Sequence, residues 1–580
     1  MVYAKRADFE EIGKQFGIDP VIARIIRNRD VTGEDEIRQY LYGDLSGLYD
    51  PHLLPHADEA AELVLEKLRS GAHIRIVGDY DIDGVCATYI LYQGLRKALE
   101  AVREALDGKT AAKTQIDHVI PDRIRDGYGI NEQIIEKAVS DGVDTILTCD
   151  NGIAAVSELG FAKSHGLTVI VTDHHDVRKD EDGRELLPPA DLIVDPKLSE
   201  SRYPTDSICG AVVAWELIGI LYERLHISET EWLSLLEFAA VATVGDVMLL
   251  QGENRMIVKA GLQKMEKGCH NRGLQALCDS CGLTGKKITA YHIGFVLGPC
   301  INAGGRLESA ETALRLFLAE TEEEEERLAA RLRELNDERK AMTEQGVEEA
   351  AQQAMTELSG DPVLVIYLPK LHESLAGIVA GRIRERFGKP CFVLTDAKEG
   401  VKGSGRSVEA YHMFEGLCGV SELLTKFGGH PMAAGLSLPA EHVELFRRRI
   451  NEACGLTEKD LQEKLWIDAV MPLPYITEKL VRELSLLEPF GNGNEKPVFA
   501  VKGVQFSELC VLGKNRNVLR CRVTDSTGYT MPAVLFGEAE AMKAELSEAS
   551  VYSILYYPDI NEYHGVRKLQ LVISAYQKNS

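Results

Sequence analysis

His73-Ile74-Arg75-Ile76-Val77-Gly78-Asp79-Tyr80-Asp81-Ile82-Asp83-Gly84 is the stretch that decides the fold. Ile74, Ile76 and Val77 read as the end of a buried β-strand. Three carboxylates follow at alternate positions, Asp79, Asp81 and Asp83. After Gly84 a helical run begins, Val85 to Leu99. A strand that ends in acids and turns into a helix belongs to an open α/β sheet, where ligands bind outside the carboxyl ends of the strands. Three aspartates this close repel one another unless a cation or a proton lies between them. A solvated acidic turn has the same composition, so the pattern downstream carries the decision.

Downstream, the pattern repeats. Candidate strands are His73–Val77, Gln115–Ile120, Thr145–Thr148, Thr168–Thr172 and Leu192–Val194, with helical runs such as Asn131–Val139 and Ile153–His165 between them. This alternation predicts a parallel sheet. The second acidic strand end is Thr148-Cys149-Asp150-Asn151-Gly152, and the third is Thr172-Asp173-His174-His175. A fourth is expected at Val244-Gly245-Asp246. Together these ends offer Asp79, Asp81, Asp83, Asp150, Asp173, His174, His175 and Asp246, enough for two divalent ions with a shared carboxylate. Hard oxygens with imidazole favour Mn²⁺ or Mg²⁺ over thiolate-bound zinc. Two such ions about 3.5–4 Å apart clamp a phosphate and stabilise a leaving oxygen.

The chain has 580 residues, 45% hydrophobic and 27% charged, which is too much for one core and ordinary for soluble domains. The net charge of −25 argues against a surface coated with phosphate-binding cations. Any nucleic acid must therefore be held in a local basic groove. No apolar run approaches the roughly 18 residues of a membrane span. The segment Met1 to Lys14 lacks a signal-peptide core, so a cytoplasmic protein with no membrane contact is expected. Most of the cysteines stand singly among apolar residues and read as buried thiols. One cluster, Cys269-His270 with Cys278 and Cys281, has weak zinc spacing.

Residues 1–65 read as a polar helical segment without chemistry, and 66–308 as the parallel-sheet domain. Residues 309–360 read as one long helix or a pair, with Leu328, Leu332, Leu335 and Met342 at helical spacing opposite a charged face. This is the pattern of a solvated amphipathic connector. Residues 361–455 form a smaller α/β unit. Residues 456–580 carry short alternating strands between glycine-rich turns, expected to close as an OB-like barrel. The fold class is thus α/β multidomain.

The stretch Asp79–Gly84 with Asp173-His174-His175 resembles the DHH phosphoesterase superfamily. Phe427-Gly428-Gly429-His430 with Ala433-Ala434-Gly435 resembles the glycine-rich signature of its DHH-associated domain, DHHA1. Five further stretches are similar to the RecJ-type, single-strand-specific 5′→3′ exonuclease family. They are Ile120–Arg123 with Gly127-Tyr128-Gly129, Asn302–Arg306, Leu371–Ala380, Gly403–Ser407 and Glu488–Asn494. The likeness runs from about residue 65 to the C-terminus. It implies Asp81, Asp83, Asp150, His174 and Asp246 as ligands of two Mn²⁺ or Mg²⁺ ions, with Asp150 bridging. It implies Asp79 as a ligand or an orienting neighbour, His175 facing the scissile phosphate and Asp173 orienting an imidazole. It implies a 5′-phosphate pocket of Arg306, Ser404 and Arg406, and guidance of the next nucleotides by Arg123 and Tyr128. His372 and His430 are expected to line the cleft. Leu371 and Ser374 depart from the family, which has an aromatic and a glycine there.

The activity implied is stepwise hydrolysis of single-stranded DNA from its 5′ end in recombination and repair. A narrow passage between the two α/β units would exclude duplex. Expected partners are a helicase and single-stranded-DNA-binding protein, and a monomer is the default. Two rivals are an enzyme for short oligonucleotides and a non-catalytic scaffold. More than 100 residues beyond Gly455 speak against the first, and the complete set of acids and histidines speaks against the second.

Overall fold

The computed structural model describes residues 1–105, 113–457, 459–462, 464–546, 550–563 and 566–579. Three short helices, α1 (Phe9–Phe16), α2 (Pro20–Asn28) and α3 (Glu34–Tyr42), precede α4 (Ala57–Ser70). The first sheet follows: β1 (His73–Val77), α5 (Ile82–Ala105), β2 (Gln115–Val119), α6 (Glu132–Ser140), β3 (Thr145–Cys149), α7 (Val156–Ser164), β4 (Thr168–Thr172) and β5 (Leu192–Val194). Its strands are parallel in the order β2-β1-β3-β4-β5. Strand residues alternate between two cores. Ile74, Ile76 and Ile170 face α4, α5 and the helices that follow the sheet, whereas Val77, Ile146 and Val169 face α6 and α7.

The chain is then helical: α8 (Gly210–Arg224), α9 (Glu229–Ser234), α10 (Leu236–Gly245), α11 (Gly252–Met265), α12 (Arg272–Ser280), α13 (Ala290–His292), α14 (Gly298–Leu307), α15 (Glu311–Leu318) and α16 (Glu322–Thr356). The connector is thus a pair of helices. Thr321 caps α16, and Glu322 to Glu325 in its first turn complement the helix dipole. Along its length, about 50 Å at the standard rise, α16 changes partners. Leu328, Ala329 and Leu332 join the first core, and Ala350, Ala351 and Ala354 join the core of the second unit. Met342 lies between these contacts and is largely exposed.

The second unit contains β6 (Leu364–Tyr367), α17 (Ala376–Phe387), β7 (Cys391–Asp396), β8 (Val401–Arg406), α18 (Met413–Cys418), β9 (Lys426–Gly429), β10 (Ala433–Leu438) and α19 (Val443–Glu452), with sheet order β6-β7-β8-β10-β9. The last unit holds β11 (Ala469–Val470), α20 (Glu478–Leu484), β12 (Phe499–Leu512), β13 (Val518–Thr524), β14 (Thr530–Phe536), α21 (Ala539–Glu545), β15 (Tyr552–Tyr563) and β16 (Val566–Lys578). Pairing of β12 with β15 closes the sheet into an OB-like barrel. The residues read as one N-terminal segment divide between two cores. Phe16, Ile22, Ile26 and Leu41 pack with Phe499, Leu519 and Tyr556 of the barrel, whereas α4 packs against the first sheet. No helix among the described residues is long and apolar enough to cross a membrane.

Candidate active site

β1 and β3 are neighbours at the point where the strand order reverses, so their connections diverge and leave a crevice. Asp79 and Asp150 emerge there. Asp81 Oδ1 accepts the backbone N–H groups of Asp83 (2.9 Å) and Gly84 (3.0 Å), which starts α5. Gly84 is required, because a Cβ would lie 2.5 Å from the Asp79 carbonyl oxygen. Asp83 reaches the N-terminus of α8. Its Oδ2 accepts from Gly210 N (2.7 Å) and its Oδ1 from Ala211 N (2.8 Å). Asp150, held at φ 60°, sits directly over Gly210, where a Cβ would come within 2.7 Å of its own.

The Asp173 carboxylate organises the two histidines. Oδ2 accepts from Ile153 N (2.9 Å), while Oδ1 accepts from His174 N (2.8 Å) and lies 2.8 Å from His175 Nδ1. His174 Nε2 is 3.1 Å from Asp150 Oδ1, 3.5 Å from Asp83 Oδ2 and 3.7 Å from Asp246 Oδ2. Asp246 therefore joins the cluster, but from a different element than expected. It caps the C-terminal end of helix α10, not a strand. The apolar run Leu233–Val244 is compatible with either element, and its length within a helical region settles it.

Burial and the neighbouring Asp81 push Asp79 up to about 8, and burial with Asp83 and Asp81 does the same for Asp246. Asp81 and Asp150 are also raised by burial and by like charge. Burial keeps the His174 imidazole low, so it is neutral and able to donate a lone pair. Burial alone would raise Asp173, but its bonds with His175 hold it below the usual carboxylate range. The same bond overrides burial at His175 and raises it to about 9.

Asp79 Oδ2 and Asp150 Oδ1 are buried without a hydrogen-bond partner, which calls for a cation. Three overlapping donor groups meet within 4.8 Å: Asp79, Asp81 and Asp150; Asp83, His174 and Asp246; and Asp150, His174 and His175. Asp150 and His174 each serve two groups. The oxygen-rich set fits Mn²⁺ or Mg²⁺. Of the Cys269, His270, Cys278 and Cys281 cluster, Cys269 lies 4.0 Å from Cys278, but Cys281 faces Cys300 at 3.7 Å instead, and the set does not converge among the described residues.

A cleft of about 210 Å³ lies beside the cluster, lined by Arg123, Arg306, Ser374, Gly377, Ser404 and Arg406. Arg306 donates to the Ser374 carbonyl (2.7 Å), and burial with nearby Arg123 lowers it to about 10, still charged at neutral pH. Arg406 donates to the Gly405 carbonyl (2.8 Å), and Gly377 leaves it space, since a Cβ there would meet Nη2 at 2.8 Å. Arg123 lies 4.7 Å above the Tyr80 ring, and Tyr80 stands between Asp79 and Asp81. The cleft is thus coupled to the acids by a single residue.

The remaining predicted residues divide. The Tyr128 hydroxyl donates to the Asp150 carbonyl (2.9 Å) and lies 3.1 Å from His175 Nε2, so it supports the cluster. His372 Nδ1 is 2.7 Å from Ser374 Oγ, whose hydroxyl donates to the Arg306 carbonyl (3.2 Å). Ser374, which departs from the family pattern, therefore ties His372 to the arginine. His430 is exposed, within electrostatic reach of Asp176 beside the two histidines. Sequence reasoning missed Gly210 and Asp195, and it named Asn302 in a family-like stretch without giving it a role. Asn302 Oδ1 accepts from Ile82 N (2.8 Å) and braces the acidic turn. Asp195 is buried directly after β5, raised to about 7 by burial and Asp173, and its position after a predicted strand was the available signal.

The chain matches the DHH family, N-terminal domain, over residues 73–243, the DHHA1 domain over 360–456 and the RecJ OB domain over 467–575. It is 33% identical over 568 residues to the single-stranded-DNA-specific exonuclease RecJ of Bacillus subtilis, covering 97% of this chain and 69% of that protein. It is 30% identical to the Escherichia coli RecJ, covering 96% and 95% of the two chains. The crystal structure of Thermus thermophilus RecJ in complex with Mn²⁺ superposes with a TM-score of 0.81 at 28% identity, covering 100% of this chain and 79% of that one. The Mg²⁺ complex from the same organism gives 0.77 at 26% identity.

Proposed function

The chain belongs to the RecJ family of single-stranded-DNA-specific exonucleases, and from that premise we propose that it removes nucleotides from the 5′ end of single-stranded DNA with two Mn²⁺ or Mg²⁺ ions. One observation supports the polarity above all. The cleft of Arg123, Arg306 and Arg406 adjoins Tyr80, the residue between Asp79 and Asp81, through the Arg123 contact with its ring. Guanidinium groups bind phosphate through paired N–H donors. A terminal 5′-phosphate held there sets the first internucleotide phosphate over the carboxylates, whereas a 3′-hydroxyl end offers the cleft nothing to bind.

Asp81, Asp83, Asp150, His174 and Asp246 would hold the ions, with Asp79 beside them and Asp150 shared. When bound, such ions supply Lewis acidity and lower the pKa of coordinated water. The chain's own groups do the rest. Asp173 fixes the His175 ring through the 2.8 Å contact and keeps it cationic. His175 is the exposed histidine of the pair, so its imidazolium donates a proton or a hydrogen bond to the scissile phosphate. Tyr128 braces both Asp150 and His175. The barrel holds the incoming strand by stacking and phosphate contacts. We infer a cytoplasmic monomer that works on strands opened by a helicase and coated by single-stranded-DNA-binding protein, in recombination and repair. Family membership supports this setting.

The test is digestion of a long single strand labelled at its 3′ end, with Mn²⁺, by wild type and Asp150→Ala. Stepwise shortening toward the label, absent in the variant, is expected. Early release of the label as a mononucleotide would reverse the polarity. Inertness of both proteins toward long strands would refute the exonuclease reading.

A further inference from the structure

The thiol pair Cys281 and Cys300 takes no part in the site. Its sulfurs lie 3.7 Å apart. Cys281 is partly exposed at the C-terminal end of α12, and Gly282 follows it at φ 71°. Cys300 is buried in α14. Arg333 donates to the adjacent Ser280 carbonyl. Contact with Cys300, together with Arg333 and Lys340, holds the Cys281 thiol below its ordinary pKa against the opposing effects of burial and Asp337. A thiol that is partly exposed, near cations and beside a second sulfur is the usual setting of an oxidisable cysteine. The pair Cys269 and Cys278 lacks that setting, because its sulfurs lie farther apart, at 4.0 Å, and its charged neighbours Glu237 and Asp279 are both acids.

The consequence lies in what α14 carries. Two residues beyond Cys300 is Asn302, which braces Ile82 in the acidic turn, and further along is Arg306 of the phosphate cleft. Asn336 Nδ2 donates to Cys300 Sγ (3.3 Å), while its Oδ1 accepts from Arg339 Nη2 (2.9 Å). We propose that Cys281 and Cys300 form an oxidation site, at which hydrogen peroxide converts the two thiols to a disulfide that displaces α14 and lowers exonuclease activity. For its activity readout this rests on the function proposed above.

The Cys281 thiolate attacks one peroxide oxygen, the O–O bond breaks, and the departing oxygen leaves as water with the thiol proton. The Cys300 sulfur then attacks the Cys281 sulfenic acid, the S–O bond breaks, and a second water leaves with the Cys300 proton. Two electrons pass from the thiols to the peroxide. The sulfurs must close from 3.7 Å to about 2.05 Å. Closing this gap draws Cys300 Sγ away from Asn336 Nδ2, and α14 shifts with it.

The full-length protein is treated with hydrogen peroxide, alkylated and analysed by peptide mass spectrometry, and assayed with Mn²⁺ before and after dithiothreitol. A Cys281–Cys300 cross-linked peptide is expected, with at least a fivefold loss of activity that dithiothreitol restores. Cys281→Ser should keep its activity through the treatment, whereas Cys418→Ser, which removes an exposed lone thiol, should behave as wild type. Absence of the cross-link overturns the site. A cross-link with unchanged activity, or equal loss in Cys281→Ser, overturns its effect on the enzyme. An untreated protein without nuclease activity refutes the function above instead, and the mass spectrum still decides the oxidation.

Discussion

At the scale of single residues, the buried acids of the cluster hold protons where no cation neutralises them. Asp79 and Asp246 lie at about 8 and His175 at about 9, above their ordinary values. The folded metal-free protein therefore binds more protons than the unfolded chain between about pH 4 and 9, and its stability falls as pH rises across that window. Asp173 and His174 run the other way, but the contribution of Asp173 is lost only in acid and that of His174 opposes the trend only below its ordinary value of 6.5. Thermal unfolding in EDTA should thus show Tm falling from pH 5.5 to 8.5, and saturating Mn²⁺ should remove or invert the slope, because the cation takes the place of the protons. A flat profile in EDTA would contradict the shifted carboxylates. The arginines are read by a different assay. Arg406→Ala removes hydrogen bonds to a charged group worth about 1.5–3 kcal/mol, so kcat/KM on 5′-phosphorylated strands should drop roughly ten- to a hundredfold. On 5′-hydroxyl strands it should change little. Equal losses on both would show that the guanidinium does not bind the terminal phosphate.

At the scale of elements, what was legible follows from what each element leaves in the chain. Strands β1, β3 and β4 end in apolar runs that stop at acids, so Asp79, Asp150 and Asp173 could be read directly. Asp246 could be found but not placed, because Leu236–Gly245 is almost uniformly apolar and shows no helical stripe. Gly210 could not be found at all. Its role depends on Asp83 and Asp150 meeting at the start of α8, a contact across 60 residues or more. Asp195 was legible by the same rule as the others. The α8 junction gives a sharp test. Gly210→Ala places a methyl against Asp150 and leaves the helix sequence otherwise suitable. Mn²⁺ affinity by calorimetry should fall roughly 10- to 100-fold, the range for disturbed support of metal ligands. Far-UV circular dichroism should be unchanged. Unaltered affinity would mean that Asp150 can shift without consequence.

At the scale of the whole molecule, the barrel and the catalytic domain are joined by a buried clasp. Arg255 of α11 is 2% exposed. Its Nε donates to the Tyr40 carbonyl (3.0 Å), Nη1 to the Leu487 carbonyl (3.0 Å), and Nη2 to the carbonyls of Leu486 (3.0 Å) and Glu488 (2.9 Å). The guanidinium also lies 4.1 Å from the centre of the Tyr40 ring, whose hydroxyl donates to Asn494 Oδ1 (2.6 Å). Asn492 returns the contact, since its carbonyl accepts from Leu250 N (2.8 Å). The Glu488–Asn494 motif, visible in sequence only as a family likeness, is therefore structural: it fixes the barrel next to the helix that ends at Asp246. A planar fork with donors on three nitrogens has no substitute in a lysine ammonium. Arg255→Lys keeps the charge but strands several buried carbonyls, at about 1–3 kcal/mol each. The two domains should then come apart before either unfolds. Calorimetry should resolve two transitions in place of one, and the rate on a long strand should fall at least tenfold. Hydrolysis of a 5′-phosphorylated dinucleotide, which is too short to reach the barrel, should stay within twofold of wild type. A proportional loss on both substrates would show that Arg255 supports the metal cluster itself, and that the barrel adds nothing to how a long strand is held.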